Sequence, residues 1–179
     1  HVLDLACGVG KITEYISDTT NAKVTGVDFA APAIQLALER NKDKTDRINF
    51  VVGDINNLQF EEKSFDAIIA IDTVDFADNL EEMIGKLKEI TKNGGQMGIF
   101  YSEISKHEEY IENLKADNTK LAKVLKKHNL EYQVYNYTEE EKSFHKKSLQ
   151  LAEEMKDEFE NGGDTGTYES RVSESTHAL

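Results

Sequence analysis

Apolar strand-like runs alternate with helical segments from residue 2 to residue 101, and that alternation restricts the chain to very few folds. Val2–Leu5 is a short apolar run ending at a glycine-bearing loop, which reads as a buried strand. Residues 11–17 read as the start of a helix, and residues 23–27 as a second strand that ends at Asp28. Pro32 suits a first helical position, and good helix formers follow it over 33–40. Ile48–Val52 is a third strand, closed by Gly53-Asp54. Phe65–Ile71 is nearly all apolar, the pattern of a central strand covered on both faces. Leu80, Met83, Ile84, Leu87 and Ile90 recur at helical spacing, with Asp78 or Asn79 as the cap and Asn93-Gly94-Gly95 as the stop. Residues 96–101 make the fifth strand. Strands that follow one another through helices need crossover connections, so the sheet is parallel and the fold is doubly wound α/β.

Beyond residue 101 the pattern changes. Residues 109–128 read as a helix with Ile111, Leu114, Leu121, Val124 and Leu125 facing inward, and residues 131–138 alternate like a sixth strand. Residues 139–160 read as one long charged helix with Phe144, Leu151, Met155 and Phe159 on a stripe. A loop follows over 161–166, and the tail from 167 to 179 shows no period. There is no internal repeat, so residues 1–179 are expected to form one domain, with a core at 1–101 and a C-terminal region at 102–179.

Composition narrows the partners. Asp plus Glu number 34 against 21 Lys plus Arg, a net charge of −13, which repels phosphate backbones and argues against nucleic acid. No apolar run approaches the roughly 20 residues that cross a bilayer, so no membrane partner is expected. Cys7 is the one cysteine, so no internal disulfide can form, which fits a reducing cytoplasm. No signal peptide stands at the start. The chain opens at His1 directly on a strand-like run, so a fold truncated at both ends is expected. The histidines lack metal-ligand spacing, and no metal site is expected. Oligomeric state is not encoded in any recognisable pattern.

The chemistry concentrates in Asp4-Leu5-Ala6-Cys7-Gly8-Val9-Gly10, directly after the first strand. A strand that enters a helix through a glycine-rich turn makes a notch lined by backbone, where a ligand meets the main chain closely. The following helix start adds free N–H groups and partial positive charge. Dinucleotide sites use such a turn with a third glycine, which Gly8-Val9-Gly10-Lys11-Ile12-Thr13 lacks. Asp4 beside the turn would repel a pyrophosphate and suits a ligand carrying an ammonium group.

This run resembles the first motif of class I S-adenosylmethionine (SAM)-dependent methyltransferases, with Ala6 in the first glycine position. Val24-Thr25-Gly26-Val27-Asp28 and Val52-Gly53-Asp54-Ile55 resemble the second and third motifs, each with an acid at a strand end. Phe65-Asp66-Ala67-Ile68-Ile69 resembles the fourth strand, and Lys92-Asn93-Gly94-Gly95 the turn before the fifth, with Asn93 replacing a proline. The resemblance covers about residues 1–101 and implies a Rossmann-like methyltransferase fold whose cofactor is SAM. It implies that Asp4, Ala6, Gly8 and Gly10 line the methionine part and that Asp28 accepts from both ribose hydroxyls. Phe29 would then pack on adenine, Asp54 and the Ile55 N–H would meet its edge, and carbonyls near Ala70 and Ile71 would receive the SAM ammonium. It also implies that residues 102–179 shape the acceptor side, with the 139–160 segment either a lid or a helix whose charged residues form a solvated face.

Plainer roles stand beside these. Asp28 could cap the next helix, and Asp54 could be a turn residue. Cys7 has no base near it in sequence and reads as a small loop residue rather than a nucleophile. Asp72 and Asp75 follow the fourth strand, where ligands bind in open α/β sheets, and could orient an acceptor amine or hydroxyl; otherwise they form a solvated loop. Tyr101, Tyr132, Tyr135 and Tyr137 could line an aromatic pocket or pack in the sheet. The function expected is methyl transfer by direct displacement to an N, O or C nucleophile of a small molecule. The rivals are a non-catalytic SAM-binding module and an NAD- or nucleotide-binding enzyme.

Overall fold

The computed structural model describes residues 1–101 and 115–177. They fall into two compact units, residues 1–132 and residues from 133 onward. The first carries β1 (Val2–Leu5), β2 (Val24–Asp28), β3 (Ile48–Val52), β4 (Phe65–Ile71) and β5 (Thr91–Phe100). These pair in the order β3-β2-β1-β4-β5, every pair parallel, which is the doubly wound sheet that the alternation requires. Between β1 and β4 the winding direction reverses, and open α/β sheets bind ligands at the strand tips beside such a reversal.

Strand alternation sends residues to opposite faces. Leu3 and Leu5 of β1 join Ile68 and Ala70 of β4 in a core with Met83, Ile84, Leu87 and Ile90 of α3 (Leu80–Ile90). Asp4, between the two leucines, is buried and meets Thr13 of α1 (Lys11–Thr20). Ile48 and Phe50 of β3 pack with Cys7 and with Ile34 and Ala37 of α2 (Ala31–Arg40). Burying one such aliphatic or aromatic side chain contributes about 1.5–3 kcal/mol. The helix α4 (Lys120–Lys127) adds Leu121, Val124 and Leu125 to the α3 side of the core. Residues 115–132 therefore belong with the sheet, although their sequence position groups them with the C-terminal region.

Several elements differ from the sequence reading. Asn79 caps α3, accepting from the Glu81 and Glu82 N–H groups, but the helix ends at Ile90, before the glycines. Thr91 starts β5, and Lys92-Asn93-Gly94-Gly95 forms an irregularity within that strand: Phe65 pairs with Thr91, and Ala67 with Gln96. In β4, Ile68 and Ala70 are buried while Ala67 and Ile69 are half-buried, so its second face is only partly covered by the described residues. Of the 109–128 helix, residues 109–114 lie outside the described residues. The rest begins late, because Asp117, Asn118 and Thr119 favour turns and caps over helix interior. A 3-10 turn covers Ala116–Asn118, and the Thr119 hydroxyl oxygen accepts from the Ala122 N–H at the start of α4.

Residues 131–137 hold no strand. Their alternation sets tyrosines on both faces, so neither face is apolar enough to be buried. The second unit contains α5 (Thr138–Glu154), α6 (Lys156–Gly162) and α7 (Thr165–His177). The single helix expected over 139–160 is broken at Met155, where Glu153 and Asp157, and Glu154 and Glu158, would stack like charges four residues apart. Phe144 and Leu151 of the expected stripe are exposed, and Ala152 is buried instead. The tail is helical despite its lack of period: α7 packs on α5 through small residues, with Ser175 buried and Tyr168 donating to Glu153.

Candidate functional site

Hydrogen bonds tie the tips of four adjacent strands together. The Cys7 N–H donates to the Val27 carbonyl at 3.0 Å, and the Gly53 N–H to the Asp28 carbonyl at 2.9 Å. The Gly8 N–H donates to Asp28 Oδ2 at 2.8 Å. The Thr73 hydroxyl reaches the Leu5 carbonyl at 3.1 Å, linking β4 to β1. Asp4, Asp28 and Asp54 thus belong to three neighbouring strand ends, and the glycine-rich turn leans on Asp28.

The turn is shaped by its backbone. Ala6, Gly8 and Gly10 all have left-handed φ values, of 56°, 52° and 76°. At Gly10 a Cβ would lie 2.6 Å from Phe50 Cζ, so glycine is required by packing. At Gly8 a Cβ would meet nothing within 4 Å, so the main chain there borders open space. The helix α1 starts from Gly10 with no side-chain cap, which leaves its first N–H groups to other acceptors.

Two carboxylates flank this space. Asp4 is 3% exposed and accepts from the Thr13 hydroxyl at 2.6 Å. Burial pushes its carboxyl above the ordinary 3.8, against the pull of the Thr13 hydrogen bonds. Asp28 is 7% exposed; its Oδ1 accepts from the Ala30 N–H at 2.8 Å, and its Oδ2 from Gly8. Asp28 does not cap α2, whose N-cap is Ala30 with no side-chain cap; it holds the turn that leads into the helix. A carboxylate offers about four lone-pair sites, so Asp28 retains acceptor capacity for a diol. Among the described residues neither Asp4 nor Asp28 forms an ion pair. The Cys7 thiol is pushed up to about 12 by burial and by the two acids, which makes it a poor nucleophile at neutral pH.

The outer positions differ in exposure. Phe29, next to Asp28, is 80% exposed, a large apolar ring in water. Asp54 is exposed and accepts from the Asn56 N–H at 2.8 Å, opening the 3-10 turn Ile55–Asn57. The Ile55 N–H, first in that turn, has no partner within it. On β4, Ala70 is fully buried and Ile71 is at the strand end, its carbonyl accepting from the Thr73 hydroxyl. Asp72 and Asp75 are exposed in the loop after β4; Asp72 has a left-handed φ of 49°, and Asp75 lies in the 3-10 turn Val74–Phe76. Helical spacing therefore does not relate them. Thr13 and Thr73, both fully buried, were missed in the sequence, because a hydroxyl residue carries no signal until its partner is located. The Tyr132 hydroxyl donates to Asp117 in the first unit, and Tyr135 bonds Gln133 in the second.

Fold and site together define a Rossmann-like α/β domain whose strand tips hold two buried acids that no cation pairs among the described residues, beside a bare turn. A family profile described as "Methyltransferase domain" matches residues 2–95, more than half of the 179-residue chain. The chain belongs to this family, as a class I SAM-dependent methyltransferase domain. It is 31% identical over 134 residues to the sterol 4-C-methyltransferase strm-1 of Caenorhabditis elegans, covering 74% of this chain and 37% of that protein. It is 32% identical over 125 residues to the sterol 24-C-methyltransferase erg6 of Schizosaccharomyces pombe, covering 63% of this chain and 32% of that one. It therefore spans about a third of the length of these relatives. Phosphoethanolamine N-methyltransferase 2 of Haemonchus contortus, solved with S-adenosyl-L-methionine, superposes over 98% of this chain and 43% of its own with a TM-score of 0.77. At 23% identity that likeness speaks to the fold. The [4+2]-cyclase SpnF shares the fold too, at a TM-score of 0.52 over 55% of this chain and 37% of its own, with 21% identity. A fold alone does not fix a reaction.

Proposed function

We propose that the domain binds SAM across the tips of β1, β2 and β3 and aligns its methyl group with a nucleophile of a small-molecule acceptor. The observation that carries this is the pair of buried carboxylates, Asp4 and Asp28, which no cation pairs among the described residues, beside the open turn at Gly8. Burying charge without a counter-charge costs stability, and a ligand bearing an ammonium, a sulfonium and a diol relieves that cost. A pyrophosphate would worsen it. The residues therefore fit SAM.

In this reading Gly8 and Gly10 give the amino-acid part access to the backbone, with Ala6 in the same turn. The uncapped start of α1 receives its carboxylate, and the carbonyls around Ala70 and Ile71 its ammonium. Asp28 accepts from the ribose hydroxyls, at about 1.5–3 kcal/mol per charged hydrogen bond. Phe29 covers one face of adenine, and Asp54 with the Ile55 N–H meets its edge. When bound, SAM supplies a methyl group made electrophilic by its sulfonium. The protein supplies alignment and exclusion of water, which for a well-oriented pair accounts for roughly 7–11 kcal/mol of barrier.

The acceptor lies beyond the β4 tip, where Asp72 and Asp75 would orient an amine or hydroxyl. Relatives named for sterol and phosphoethanolamine methylation make carbon and nitrogen nucleophiles the first to test. Among the described residues no helix is long and apolar enough to cross a membrane. The single buried thiol suits the cytoplasm.

Calorimetry of the full chain with SAM and NAD side by side tests the cofactor. Binding of SAM and no heat with NAD is expected; preference for NAD would overturn the assignment. Transfer of labelled methyl to a panel of small amines, alcohols and sterols separates an enzyme from a binding module. Once an acceptor is found, Asp72→Asn and Asp75→Asn should raise its KM; unchanged kinetics in both would remove these acids from the acceptor site.

A further inference from the structure

We infer that Thr73 is a positioning residue, its buried hydroxyl tying the tip of β4 to the Leu5 carbonyl of β1 and so holding the β4 carbonyls in the orientation that receives the SAM ammonium. This rests on the proposal above that the carbonyls around Ala70 and Ile71 are the ammonium's acceptors. Thr73 is fully buried, and its Oγ1 donates to the Ile71 carbonyl at 2.8 Å and to the Leu5 carbonyl at 3.1 Å. One hydroxyl proton is thus shared by the last carbonyls of the two strands that flank the reversal in the sheet.

Strand-end carbonyls are the ones that ladder pairing holds least. Each has two lone pairs, and sharing a single proton leaves acceptor capacity on both. Their direction matters, because a hydrogen bond weakens steeply once donor and acceptor are misaligned. The backbone between the two contacts is itself unusual. Asp72 takes a left-handed φ of 49°, a region that non-glycine residues occupy only when their surroundings enforce it. The Thr73 clamp supplies that enforcement, and it leaves the ligand untouched because the side chain is fully covered. Its effect should therefore appear only in the part of the ligand that meets the carbonyls.

The test is calorimetry of the full chain with two ligands. SAM carries the amino-acid portion, whereas 5′-methylthioadenosine keeps the adenosine and the sulfur and lacks it. Thr73→Val removes the hydroxyl at nearly constant shape. It should weaken SAM by about tenfold while leaving methylthioadenosine within about twofold. Thr73→Ser should restore SAM binding. Thr73→Ala against Thr73→Ser makes the same comparison at constant size if the valine variant does not fold. A hydroxyl-free variant that binds SAM like the wild type would overturn the role, as would equal weakening of both ligands, the mark of general loosening. Wild-type protein binding methylthioadenosine as tightly as SAM would instead show that no carbonyl receives the ammonium, and would overturn the underlying reading before any variant is made.

Discussion

Asp4 sits where a carboxylate is hard to keep charged, and that strain has a measurable sign. Burial raises its folded pKa above the ordinary 3.8, so between those two values the folded chain holds the proton more tightly than the unfolded one. Stability therefore falls as pH rises through that window, and the penalty is complete above it. Asp4→Asn keeps an oxygen for the Thr13 hydroxyl and removes the charge. Urea melts at pH 7 should find the variant at least as stable as wild type, with the descending acid-range component gone, while calorimetry finds SAM bound several-fold more weakly. A clear loss of stability at pH 7 would show that the Asp4 charge is compensated within the fold. Ala6 offers the opposite case, an alanine at a φ of 56° in the turn. A left-handed L-residue costs about 1–2 kcal/mol, and glycine gives back about 0.4–1 kcal/mol through the unfolded chain. Ala6→Gly should raise stability by roughly 0.5 kcal/mol in denaturant melts; a loss would mean that the methyl group packs favourably.

At the scale of elements, what could be read in the sequence follows from how local each signal is. The five strands and α3 were legible because short apolar runs and apolar residues at helical spacing are local signals, whereas α1 buries only Thr13 and Ser17 and carries none as strong. The Asn79 cap is local too: removing its two accepted N–H bonds in Asn79→Ala should destabilise the protein by about 1 kcal/mol in the same melts. An unchanged midpoint would show that α3 is held by Met83, Ile84, Leu87 and Ile90 alone. The elements misread are those whose fate lies elsewhere in the chain. The break at Met155 follows from charge repulsion along the helix face, which the hydrophobic stripe hides. Helix α7 buries Ser175 rather than an apolar row, so nothing periodic marks it. Among site residues, Asp28 and the glycines were legible because their spacing from strand ends is fixed. Thr13 and Thr73 were not, since the nine residues from Asp4 to Thr13 and the 68 from Leu5 to Thr73 become neighbours only through the fold.

For the whole molecule, parallel pairing sets three acids at the same end of three adjacent strands, and the bonds among Cys7, Gly8, Val27, Asp28 and Gly53 lock those ends together. In the proposed reading the sheet is a platform for a cationic, phosphate-free adenosyl ligand, and Asp28, which accepts from the Gly8 N–H on one side and from the Ala30 N–H before α2 on the other, is its centre. The decisive measurement is titration calorimetry of SAM against Asp28→Ala in the full chain, with circular dichroism to establish that the sheet is retained. Affinity should fall by at least about tenfold, equivalent to about 1.4 kcal/mol. A folded variant that binds SAM as tightly as wild type would show that the β2 tip does not hold the ribose, and that the acids at these strand ends serve the loop alone.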